Sequence, residues 1–239
     1  MAGSPAETFT LSLEVAGRRT EGQVSLPSDP VPATTMLPVA LAIADAVVRL
    51  TGESLAQAGT PITCSPGCAA CCRKLVPISA IEARRLRALV DALPAPRRAA
   101  VEARFVAAGE RLRSAGLLAR LDQDGLSGEE VVSLSGAYFD LWLDCPLLEE
   151  ERCAVYAERP AACREYLVVS PPPSCFPDSP DADVERVRLP RSVANALASL
   201  EPTGWVPLVR ALARADRLAA EPPPRSGGAW LQAVLDGSE

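Results

Sequence analysis

A chain of 239 residues is long enough for one or two domains and a sizeable apolar core, so it does not depend on disulfides to stay folded. Its formal charge of −6 argues against nucleic acid as a main partner, because phosphate binding calls for a basic surface. The absence of histidine removes mixed Cys/His fingers, the common His-rich catalytic zinc sites and every triad with a histidine base.

Of the 24 basic residues only Lys74 is lysine, which together with heavy use of Ala and Pro points to a G+C-rich genome rather than to a function. The N-terminus shows neither a basic n-region nor an apolar h-region. The longest apolar run, Met36 to Leu50, is interrupted by Asp45 and Arg49 and is too short to span a bilayer. The expected setting is the reducing cytoplasm, with no membrane partner.

Residues 8–26 read as a β-hairpin. Phe9, Leu11, Leu13 and Val15 alternate with polar residues, Gly17 and Arg18 supply the turn, and Val24 and Leu26 continue the alternation. Pro27, Pro30 and Pro32 mark a connector. From Pro38 to Gly52, Leu41, Ala44, Val47 and Val48 predict a core helix with Pro38 in its first turn. Ser79 with Glu82 is a capping box opening a helix faced by Ile81, Leu86, Leu89 and Leu93, which Pro94 ends. Val101, Phe105, Ala108 and Leu112 stripe the next helix, closed near Gly116. The two form an antiparallel hairpin, on which Arg84, Arg85, Arg87, Arg97 and Arg98 read as a solvated face.

Ser127 and Glu130 make a second capping box before Val131, Leu134, Tyr138, Leu141 and Trp142, where β-branched and aromatic residues leave helix and strand both open. Cys145-Pro146, Arg159-Pro160 and Pro171 to Pro173 then interrupt regular structure. Val184 to Leu189 reads as a strand. Helices are expected at 191–200, 207–219 and 228–236, with Glu221 to Arg225 as a stiff proline linker.

The cysteines carry the chemistry. Cys64, Cys68, Cys71 and Cys72 lie in one short segment, and Cys145, Cys153, Cys163 and Cys175 follow with the pattern C-x7-C-x9-C-x11-C. Such local density in a reducing compartment is metal-ligand arithmetic. All-thiolate sets select zinc, Cu(I) or iron–sulfur clusters over magnesium or calcium, and they do not separate zinc from iron. Carboxylate ligands stay open, with Asp144, Glu149, Glu150 and Glu151 near the second group. Neighbouring side chains diverge, so Cys71 and Cys72 are easier to explain if they serve different metals, or different irons of one cluster. The second group lacks the C-x2-C knuckle of a zinc ribbon. Cys64-x3-Cys68-x2-Cys71 matches the spacing of radical S-adenosylmethionine enzymes, but Ala70 replaces the usual aromatic and no run of βα units follows.

Cys64-Ser-Pro-Gly-Cys68-Ala-Ala-Cys71-Cys72-Arg73, then Cys145-Pro-Leu-Leu and Cys153-Ala-Val-Tyr-Ala-Glu-Arg-Pro-Ala-Ala-Cys163-Arg164, resembles the bacterial cysteine-cluster (YkgJ-type) family of zinc- or iron-chelating domains. The resemblance covers roughly residues 60 to 176. Its more specific half is the second, with Tyr156, Arg159, Pro160, Cys163 and Arg164 in register. The gap between Cys64 and Cys68 is one residue longer than is common. A related cysteine cluster occurs in flagellin lysine N-methylases, which implies methyl transfer as an alternative. Beside the family's cysteines, Arg73, Arg152, Arg159 and Arg164 are suited to offset anionic thiolates, with Tyr156 as a further motif residue at the second shell of the site.

The expected fold is therefore α+β and mainly helical. Residues 1–55 form a hairpin and helix, 56–180 a cysteine-cluster domain with a helical hairpin and an irregular metal-stabilised segment, and 181–239 a helical extension of the same unit. The expected function is binding of zinc or iron, a [4Fe–4S] cluster included. The alternative is an iron–sulfur-dependent enzyme such as a protein lysine N-methylase-like methyltransferase. No G-x-G-x-x-G, P-loop or H-E-x-x-H motif favours catalysis.

Overall fold

Strand alternation at the N-terminus yields an antiparallel ladder of β1 (Ala6–Val15) with β2 (Arg18–Pro27), in which Val15 opposes Arg18. The turn is Ala16–Gly17, one residue earlier than the sequence suggested. Both residues have positive φ (51° and 74°), the conformation that matches the twist of a two-residue hairpin. Leu13, Val15 and Leu26 are buried on the inner face. The computed structural model describes residues 5–65, 67–177 and 184–237.

The helix expected from Pro38 is longer and starts earlier, as α1 (Ala33–Gln57). Pro38 thus lies in its second turn, on the exposed side, where the lost amide bond costs least. By length and composition α1 could cross a membrane, but half of its most apolar stretch is buried inside the protein. Ala44, Val47 and Leu50 share one apolar cluster with the hairpin, α7 (Val193–Ser199) and α9 (Gly227–Asp236). It is the central helix of that core. Trp230 of α9 closes the cluster and donates its indole N–H to the Val31 carbonyl at 2.8 Å. A Cβ on Gly227 would come within 2.7 Å of Leu26 Cβ and 2.9 Å of the Pro27 carbonyl, so the start of α9 can press on β2 only as glycine.

Both capping boxes form. Ser79 caps α2 (Ala80–Asp91) with Glu82, and Ser127 caps α5 (Gly128–Asp140) with Glu130, which settles the second segment as helix. Between them run α3 (Ala95–Ser114) and the short α4 (Leu118–Leu121). Val101, Phe105, Ala108 and Leu112 are all buried. The helical arginines are a solvated face only in part: Arg97 is exposed and Arg85 well exposed, whereas Arg84 and Arg87 are largely covered, and most of the set is ion-paired. Arg84 pairs with Glu201, Arg85 with Glu158, Arg87 with Asp91 and Glu102, and Arg97 with Glu149. Arg84, Arg85 and Arg97 tie α2 and α3 to the second half of the chain, while Arg87 joins α2 to α3.

That second half is irregular around its cysteines, as its prolines require. A two-residue pair, β4 (Leu148–Glu149) and β5 (Arg152–Cys153), leads to a 3-10 turn at Tyr156–Glu158 and to α6 (Ala161–Glu165). The strand expected at Val184–Leu189 is an extended run with a single bridge, Arg186 to Val168, because it has only one short partner. β6 (Trp205–Pro207) pairs with β3 (Pro77–Ser79), and the helix expected at 207–219 shrinks to a 3-10 turn and α8 (Ala211–Ala215). With nine α-helices and three two-stranded pairings among the described residues, the fold is α+β and mainly helical.

Candidate metal centre

The first cysteine segment is held at both ends by backbone bonds. Thr63 donates its amide to the Val168 carbonyl (3.0 Å) and its hydroxyl to that of Ser170 (2.6 Å). Gly67, at φ 92°, turns the chain, and Ala70–Arg73 forms one 3-10 turn that carries Cys71 and Cys72. The second segment docks on this turn through the Cys145 amide, which bonds the Cys72 carbonyl at 2.8 Å.

The turn between β4 and β5 consists of Glu150 and Glu151, both at positive φ (49° and 57°). Non-glycine residues avoid that region unless something holds them. Here the Arg73 guanidinium grips both Glu151 oxygens at 2.6 and 2.9 Å and pairs with Asp144 at 2.7 Å. It also lies 5.3 Å from the centre of the Trp142 ring. Arg73 therefore braces the loop that presents Cys145 and Cys153.

The motif around Cys163 sends neighbouring side chains to different elements. Arg164 is buried. It pairs with Asp45 of α1 and donates to the carbonyls of Ala157 and Arg159. Glu165 receives the amides of Val193 (2.7 Å) and Ala194 (3.2 Å) at the start of α7. The amide of Ala161 bonds the buried Glu82 carboxylate of α2 at 2.7 Å. The short helix α6 is thus nailed to three longer helices, and its Cys163 packs beside Cys145 on an apolar cluster at the cavity wall.

All eight cysteines are free thiols, and all eight line one cavity of about 1170 Å³. Tyr156, Arg159 and Arg164 also line it, whereas Arg73 does not; Arg152 borders a separate shallow depression on the outer side. Arg159 lies 4.0 Å from the centre of the Tyr156 ring and has no carboxylate partner among the described residues. Lys74, which motif reasoning passed over, completes the positive wall, with Nζ 3.9 Å from the centre of the Phe139 ring. The signal for it was present: it is the single lysine of the chain, two residues from Cys72.

The thiols polarise one another. Cys71 is lowered to about 7, chiefly by the hydrogen bond from Cys72; burial opposes this, and Lys74 and Arg159 add to it. Cys72, the donor of that bond, is pushed up by it and then by burial. Burial raises Cys145 to about 12 and Cys163 well above the ordinary thiol range. Burial thus makes the thiolate form of these cysteines costly, and a bound cation would offset that cost.

The donors fit a soft metal by their chemistry. Among the described lining residues Glu165 is the single carboxylate, and α7 occupies both its oxygens. Asp144, Glu149, Glu150 and Glu151 are not in the lining, so sulfur is the available ligand. Among the described residues, no three Cys, Asp or Glu side chains already stand at ion-holding spacing, so the thiols must draw inward to bind.

Residues 63–180 match the family model CxxCxxCC, described as a "Putative zinc- or iron-chelating domain". No curated protein and no solved structure matches the chain.

Proposed function

We propose, for a chain that belongs to the CxxCxxCC family of zinc- or iron-chelating domains, that its work is to hold zinc or iron through the thiolates of its two cysteine groups, in the reducing cytoplasm. The observation that carries this reading is the convergence of all eight free thiols on one cavity wall. A cavity of about 1170 Å³ exceeds what one ion needs, which leaves room for a [4Fe–4S] cluster as the form in which iron is held. When bound, the metal supplies Lewis acidity or, as a cluster, electron transfer. The chain's own residues supply the sulfur ligands, the cations Lys74 and Arg159 beside them, and a partly apolar wall that limits water.

The same volume supports a second reading, in which a substrate enters beside a cluster, as in a methyltransferase related to protein lysine N-methylases. The two share a first test. Anaerobic purification followed by metal analysis and a visible spectrum separates zinc from iron. Stoichiometric zinc in colourless protein excludes the cluster, and brown protein with acid-labile sulfide excludes zinc alone. A fully reduced, folded chain that takes up neither metal would overturn both.

A further inference from the structure

The eight thiols divide by their surroundings more than by their order in the chain. Thr63, just before Cys64, is bonded through its amide to Val168 and through its hydroxyl to Ser170, in the run that leads to Cys175. Cys175 is itself buried in a small cluster with Ala70 and Val168. Cys145 and Cys163 pack instead on the cluster of Ile78, Leu147 and Val155, and Cys153 stands opposite Leu148 in the same corner. The Cys72 carbonyl bonds this second corner through the Cys145 amide.

Cys71 and Cys72 sit on the turn between the two corners: Ala70, beside Cys71, packs with Cys175, and the Cys72 carbonyl receives the Cys145 amide. The 3-10 turn splays Cys71 from Cys72 by about 120° around the turn axis.

We infer that the cavity holds two four-thiolate centres, each drawing on both cysteine groups: an outer one from Cys64, Cys68, Cys71 and Cys175, and an inner one from Cys72, Cys145, Cys153 and Cys163. This rests on the metal-binding reading above and deepens it. A single tetrahedral ion uses four thiolates, so eight around one cavity leave a full second set. Each zinc or ferrous centre so made carries about −2. Lys74 and Arg159 line the same cavity as both sets. The vicinal pair is then the divider: Cys71 turns to one centre and Cys72 to the other.

Anaerobic titration of the reduced full chain with Co²⁺, followed by its sulfur-to-metal charge-transfer absorption, tests this. The native chain is expected to saturate at two equivalents. The triple variant Cys64→Ser, Cys68→Ser, Cys175→Ser is expected to keep one, with the tetrathiolate spectrum intact. These three positions are chosen because none packs on the large helical clusters, and far-UV circular dichroism checks that the variant is folded. Saturation of the native chain at one equivalent overturns the division and leaves metal binding standing. A folded triple variant that binds two equivalents, or none, overturns it equally. A folded, reduced native chain that binds no Co²⁺ defeats the metal-binding reading itself.

Discussion

The amide of Cys145 donates to the carbonyl of Cys72 at 2.8 Å, so the two cysteine segments meet through the backbone before any sulfur is used. Arg73, next to Cys72, strengthens the same junction by gripping Glu151 and pairing with Asp144. The frame of the site is therefore built by hydrogen bonds and ion pairs, while the sulfurs remain free to move inward. That separation predicts what metal removal does. The cluster around α1 uses no cysteine and should survive chelation, whereas 145–175 has little regular structure to hold it. Hydrogen exchange should quicken in 145–175 after chelation and stay slow in α1. Metal present at a hundredfold over its Kd should add about 2.7 kcal/mol of stability. Equal loosening of α1 and 145–175 would count against this.

Lys74 gives the second prediction. Arg73 and Arg164 spend their charge on carboxylates, and among the described residues Lys74 and Arg159 do not. Lys74→Met should weaken metal affinity by about tenfold, the lower end for residues supporting metal ligands, and Lys74→Arg should restore most of it. Competition with a chromogenic chelator measures both. As the single lysine, Lys74 also offers a direct footprint: acylation of its peptide, read by mass spectrometry, should slow when metal is loaded. Unchanged affinity in a folded Lys74→Met chain would remove it from the site.

What could be read in the sequence was what is local. Ser79 with Glu82, and Ser127 with Glu130, declare their helices because a cap is a contact three residues long. The cysteine spacing and the prolines after Cys145 foretold an irregular segment for the same reason. The pairing of Pro77–Ser79 with Trp205–Pro207 left no trace, since three-residue strands have no period to detect and their partner is remote. The early start of α1 was hidden by Pro38, which reads as a first-turn residue and sits in the second. Which arginine faces the thiols was not legible either. Arg73 adjoins Cys72 in sequence, yet Glu151 and Asp144 claim it, and those contacts exist only once the β4–β5 turn is made.

Glu82 supplies a third prediction. It is a fully buried carboxylate whose oxygens accept the Ser79 amide and hydroxyl and the Ala161 amide. It therefore joins the start of α2 to the helix that carries Cys163. Glu82→Ala strands two buried amides and should cost about 3 kcal/mol, more than an ordinary cap, because both donors lose their partner at once. Glu82→Gln keeps an accepting oxygen and should cost less. Urea denaturation of the metal-free chains measures the difference. A loss under about 1 kcal/mol in Glu82→Ala would show that water replaces the carboxylate.

The fourth prediction concerns acid. Arg210 clasps the Asp122 carboxylate with two hydrogen bonds, 2.8 and 3.0 Å, joining the end of α4 to the turn before α8. Gly109 of α3 makes room for it, since a Cβ there would come within 2.7 Å of the guanidinium. Burial alone would raise Asp122, but the Arg210 bonds and the charges of Arg210, Arg217 and Arg214 outweigh it and hold the carboxyl below its ordinary value. On acidification the unfolded chain takes up this proton first. The pair's contribution is thus complete above roughly pH 4, and drains away as the pH falls through the depressed folded value. Asp122→Asn should cost about 1 kcal/mol at pH 7, since a charge-assisted, two-pronged pair is exchanged for a neutral one. The penalty should shrink steadily below pH 4 as the native carboxylate protonates. Denaturation midpoints for both chains at several pH values decide it. A penalty that stays constant into strong acid would mean that Asp122 acts through shape rather than charge.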